Sequence, residues 1–207
     1  MVAPLTIAAD LALLLSSGAS AFWAWRQRQA CTDERALLSA WALSALFILV
    51  AIPAQYLPAD AGSDLGVLRR MALNLAVYIS LPLMATAVYA LGRRWFWAGA
   101  GWGRWLLALF AAFELSRQLG YGEEYLQALG AAMVAACAVG SVLLKQPLAV
   151  AATALLALTL TITSPVAPNW GIAWQEPALF RVLSALSLAT FTAALHRSLI
   201  PARPAAQ

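Results

Sequence analysis

Charge is what this sequence has least of. Among its 207 residues 13 are basic and 9 acidic, 11% in all, whereas a water-soluble domain carries about 25%. A soluble globular fold is therefore excluded, and so is a disordered chain, because 63% of the residues are apolar and the mean hydropathy is +0.77. Histidine is nearly missing too: His196 is the only one, which removes the multi-histidine zinc centres that several membrane hydrolases use. The two cysteines, Cys31 in a basic connection and Cys137 inside an apolar run, make no disulfide framework and read as free thiols. The few charges gather in short clusters between long apolar stretches, and this distribution offers no surface for nucleic acid.

The apolar stretches are long enough to cross a bilayer. At roughly 20 residues per span, hydropathy windows predict an all-α membrane protein. The predicted seven-transmembrane bundle has spans near 5–25, 36–56, 66–91, 99–119, 124–144, 147–165 and 177–198. Together these form one transmembrane domain over 1–207, with no extramembrane domain. The triplet Ala19-Ser20-Ala21 imitates a signal-peptidase site. Its flank has no early Lys or Arg and includes Asp10, so residues 5–25 are expected to stay as the first span.

Loop charge sets the orientation. Arg26, Arg28, Arg35, Arg93, Arg94, Arg104, Lys145, Arg197 and Arg203 lie on one side, against Asp33 and Glu34. Asp10, Asp60, Asp64, Glu123, Glu124 and Glu176 lie on the other. The positive-inside rule then puts the N-terminus outside and the C-terminus in the cytoplasm of a plasma-membrane, multi-pass protein. Tryptophans cluster at the same boundaries, Trp23, Trp25, Trp95, Trp97, Trp102 and Trp105 inside and Trp170 and Trp174 outside, as interfacial belts do.

A motif recurs at an offset of 112 residues: Pro53, Asp64 and Arg69 match Pro165, Glu176 and Arg181. A parallel 3+1+3 duplication follows from this, a scheme in which a ligand site forms between the halves; the alternative is that both turns simply need a helix stop and an N-cap. The layout resembles that of the sugar-transporting PQ-loop proteins, although the Pro-Gln signature is missing. In helix count and orientation it resembles the microbial rhodopsins, but the last span, Arg181 to Thr192, offers no lysine for a retinal Schiff base. No family follows from either likeness.

Ionisable groups inside a span face the bundle interior or water, so function is sought there first. Glu114, Arg117, Gln118 and Tyr121 are spaced i, i+3, i+4 and i+7 on one helical face. Arg70, Asn74 and Tyr78 form a second stripe above Pro82, where a kink is expected. Arg181 and Ser184 share a face of the last span, and Thr163 joins Thr159 in the sixth. Taken together they predict a polar chamber in the outer half of the bundle, in which the arginines can hold an anionic group. The bland alternatives are structural ion pairs and arginines that snorkel to the head groups.

The expected function is binding or transport of a small polar or amphipathic ligand, a small molecule or a lipid, through that chamber. A second reading is an accessory subunit packed on a membrane partner or on another copy through Ala128, Ala132, Ala136 and Gly140, a small-residue ladder that permits close helix contact. The third is a lipid enzyme with Glu114 as acid or base, which no nucleophile, metal set or second carboxylate supports. No catalytic residue, metal ligand or cofactor is expected.

Overall fold

The computed structural model describes residues 4–60, 62–163 and 177–199. Pro165, Trp170, Trp174, Glu176, Arg203 and the Thr163 side chain lie outside the described residues. All regular structure among the described residues is helical. The elements are α1 (Pro4–Ala30), α2 (Arg35–Ala54), α3 (Asp64–Asn74), α4 (Leu81–Arg93), α5 (Gly99–Gln118), α6 (Gly122–Leu144), α7 (Pro147–Leu158) and α8 (Pro177–Leu199). A π-helical turn, Leu75–Ser80, joins α3 to α4, and a second, Thr159–Thr163, extends α7.

Five helical rods are long and apolar enough to cross a membrane: α1, α2, the continuous rod Asp64–Arg93, α6 and the segment Ala178–Leu199 of α8. The expected fourth and sixth spans correspond to α5 and α7, which fall short of that standard. Helix α5 is diluted by Arg104, Glu114, Arg117 and three glycines, and the apolar stretch Pro147–Thr161 is shorter than a full crossing.

Helix ends follow local chemistry. Ser63 caps α3 by accepting a hydrogen bond from the Gly66 amide at 3.0 Å. Arg94 ends α4 in the left-handed conformation, φ 58°, with Trp95 N–H donating to Ala90 O at 2.8 Å, the backbone pattern of a Schellman stop. Lys145 ends α6 in the same way, φ 53°, and Pro147 opens α7, a position where the missing N–H costs nothing. Pro82 sits in the first turn of α4. Its ring and absent N–H would disrupt a regular α-turn, and the chain accommodates it by widening the preceding turn to a π-helix.

The core is built where these rods cross. Helix α1 packs along α2 and α8, α4 along α6, and α7 between α6 and α8. Helix α5 lies at the periphery against the first π turn, α2 and α6. Trp41 is fully buried at the centre. Its Nε1 donates to Ser20 Oγ at 2.9 Å, and the Ser20 and Thr192 hydroxyls share a hydrogen bond of 2.8 Å, tying α2, α1 and α8 together. Outward-facing residues such as Leu11, Leu15, Phe22, Val50, Leu107 and Val142 are large, apolar and exposed, a surface suited to lipid and not to water.

Helices α4 and α6 cross closely. A Cβ on Gly140 would stand 2.8 Å from the Val88 carbonyl carbon and oxygen, and one on Gly92 would stand 2.6 Å from the Gly140 carbonyl oxygen. The Gly140 end of the small-residue ladder is thus consumed inside the bundle. Ala128 and Ala132, at its other end, are exposed, and Ala136 is half-buried.

Candidate functional site

Asp10 is the most unusual side chain in the structure: a carboxylate on α1 that is only 5% exposed. Taking a charge out of water is costly unless it is paired, and three residues gather around it. Arg181, at the start of α8, brings Nη1 to 2.9 Å from Oδ1 and 3.0 Å from Oδ2. The Tyr56 hydroxyl donates to Oδ2. Arg181 Nη2 donates to the Gln55 side-chain oxygen at 2.7 Å. Arg69 Nε donates to the Gln55 backbone carbonyl at 3.3 Å, so the two arginines of the 112-residue repeat both converge on Gln55. Although Oδ1 lies within ionic distance of Arg181, no hydrogen is aimed at it. One buried acceptor site remains open.

Beneath this polar cap lies a cavity of about 210 Å³. Its walls are apolar, built from Leu13 of α1, Ile48 and Ala51 of α2, Met84 of α4, Cys137 of α6 and Phe191 of α8, with Trp41 among them. Asp10, Gln55, Arg181, Ser184, Ser187 and Thr159 supply its polar groups. Both π turns contribute wall: Ala76 and Val77 from the first, Thr159 and Leu160 from the second. Such widened turns often stand at functional sites. A cavity of about 150 Å³ is enough to admit benzene, so this one can hold a compact organic molecule.

The sequence-predicted chamber residues divide into two groups. Arg181, Ser184 and Thr159 line the cavity. The other described ones do not. Tyr78, in the first π turn, packs its ring on Phe113 and Tyr125 at centroid distances of 4.2 and 6.2 Å. Arg70 and Asn74 are exposed on α3, and Tyr121 is exposed at the start of α6. Glu114, Arg117 and Gln118 form a local network on the last turns of α5. In it Arg117 donates to both carboxylate oxygens at 2.9 and 2.6 Å, and Gln118 donates at 2.9 Å. That network is open to the surroundings, with side-chain exposures of 62% for Arg117 and 45% for Glu114. Such exposed pairs contribute little. A double-mutant cycle of Glu114→Gln and Arg117→Gln is accordingly expected to give additive effects on the melting temperature. A strong coupling would place this pair in a buried site.

Asp10, Gln55 and Tyr56 are the site residues that sequence reasoning missed. A usable signal existed: Asp10 falls inside the first span with no basic residue one turn away, and an ionisable group at such a position marks a site. Two of the arginines assigned to anion binding are paired, Arg117 with Glu114 and Arg181 with Asp10, so the cap carries balanced charge.

Among the described residues no three His, Cys, Asp or Glu side chains gather to hold a metal ion. Both cysteines are free. Cys31, between α1 and α2, has its thiol pushed above the usual range by burial and by Glu34, which keeps it protonated and a poor nucleophile at neutral pH. Comparison with protein-family models, with curated proteins and with solved structures returns no match.

Proposed function

We propose that this chain is a seven-span plasma-membrane protein that binds or transports a small amphipathic molecule, held with its polar end at Asp10 and its apolar body in the cavity below. The observation that carries this reading is the open acceptor at Asp10 Oδ1, buried above a largely apolar chamber. Because Arg181 already balances Asp10, the favoured ligand is uncharged and offers one donor, a hydroxyl or an amide N–H. The 3+1+3 scheme supports a site between halves: α2 and α3 begin at 35 and 64, and α7 and α8 begin at 147 and 177, within a residue of the 112 offset. The packing is reciprocal in the same sense, with α1 of the first half on α8 and α6 of the second half on α4. Basic residues at the inner helix ends support a cytoplasmic C-terminus.

Medium-chain n-alkanols are suitable probes. In lipid nanodiscs they should raise the melting temperature saturably, as ligands that bind only the folded form do, whereas alkanes of matched length should do much less. Ala51→Leu, which fills the cavity, should abolish the response while leaving the protein folded. Equal shifts with alkane and alkanol, or a full response in Ala51→Leu, would show that binding does not use this site.

A second reading, an accessory subunit or homo-oligomer, draws on Ala128 and Ala132, which remain exposed on α6 and permit close approach of another helix.

A further inference from the structure

A second concavity, of about 670 Å³, opens at the opposite end of the bundle, where the basic residues gather. This volume falls within the range of about 300–1,000 Å³ found for ligand sites. It lies between the start of α2 and the start of α5, and its apolar wall is formed by Leu43, Leu83 and Leu106. Three features of its rim point to an anion.

The first is Trp102. Only 5% exposed, it forms part of the wall, and its Nε1–H has no acceptor. Buried N–H groups without a partner are rare, and an oxygen supplied by a ligand would remove the cost. The second is that neither helix start has a side-chain cap. Although Arg35 N–H donates to Thr32 O at 3.4 Å and Gly101 N–H to Ala98 O at 2.8 Å, other first-turn amides have no such partner among the described residues. Neither Glu34 before α2 nor Ala98 before α5 accepts a first-turn amide through its side chain, and Ala36 and Gly99 from those first turns line the crevice. Orphan first-turn amides and the positive ends of two 20-residue helices favour negative charge. The third is Arg35, exposed on the rim. Asp33 borders the crevice and Glu34 is the residue before α2, so together they outweigh Arg35 and the attraction comes from the amides and the indole.

We propose that this crevice binds the phosphate of an anionic phospholipid. The phosphodiester oxygens accept from Trp102 Nε1–H and the first-turn amides, Arg35 faces the charge, and an acyl chain lies along Leu43, Leu83 and Leu106. A lipid is favoured over a free phosphate because the wall is apolar and the rim carries exposed Trp97, a side chain suited to the membrane interface. The site is separate from the cavity under Asp10, and neither proposal depends on the other.

The test uses the full chain in a neutral maltoside detergent, titrated with a short-chain phosphatidylglycerol and, separately, with inorganic phosphate, while the melting temperature is followed. The lipid should stabilise saturably and phosphate should not. Trp102→Phe, which removes the N–H and keeps an aromatic ring, should weaken the apparent affinity about tenfold, the scale of one hydrogen bond to a charged acceptor. Arg35→Gln, at an exposed position, should weaken it and flatten its salt dependence, and it decides the matter if Trp102→Phe fails to fold. Stabilisation by phosphate that is lost in the same variants would assign the crevice to a soluble anion and overturn the lipid. No saturable response, or one that both variants retain, would overturn the site itself.

Discussion

Arg181→Gln is expected to cost about 3–5 kcal/mol of stability, the scale observed when one partner of a buried ion pair is removed. The loss arises less from the missing attraction than from what remains: Asp10, almost wholly enclosed, would keep Tyr56 as its one hydrogen-bond donor. Asp10→Asn should cost less, because Arg181 is more exposed, 19% against 7% for the side chains, and retains the Gln55 oxygen. The Asp10→Asn/Arg181→Gln double variant should then lose much less stability than the sum of the two single losses. Chemical or thermal unfolding of the four proteins in one detergent measures the coupling. Additivity would mean that the two side chains do not meet, and the polar cap with its open acceptor would be wrong.

The second large effect is expected at the α4–α6 crossing. Gly140→Val should destabilise by about 1–3 kcal/mol or more, as overpacked cores do. The atoms in the way, the Val88 carbonyl and the Tyr89 Cα, are backbone and cannot rotate aside. Gly92→Val should behave similarly against the Gly140 carbonyl. Ala132→Leu, on the exposed part of the same ladder, provides the contrast: its side chain meets open surroundings, and the melting temperature should move little. Wild-type stability in Gly140→Val would show that the two backbones are not in contact.

Much of the architecture was legible because it is local. Apolar length and the charged connections at Arg93-Arg94 and Lys145 place helix ends from neighbouring residues alone, and the observed ends lie close to the expected spans. The Pro82 kink was legible as a disturbance, though its form, a widened turn, depends on packing. The cavity was not legible for the opposite reason. Helical spacing puts Glu114, Arg117 and Gln118 on one face but does not say which way that face turns, and the peripheral seat of α5 turns it outward. The Asp10–Arg181 pair joins residues 171 positions apart, and no local pattern announces that α1 will lie along α8.

The first π turn also sets the angular phase of one rod. A π turn is geometrically an α-helix with one residue inserted, and at 3.6 residues per turn each inserted residue rotates everything downstream by about 100° relative to an uninterrupted helix. The rod Asp64–Arg93 has two obligations on either side of Leu75–Ser80. Leu73 must face the cavity before it, and Val88 and Gly92 must face Gly140 after it. A strictly regular helix over this sequence would satisfy one and turn the other away by roughly a quarter of its circumference. The extra residue lets a single rod line the chamber on both sides of the turn, through Leu73 before it and Met84 and Val88 after it, while its far end forms a close seam with α6.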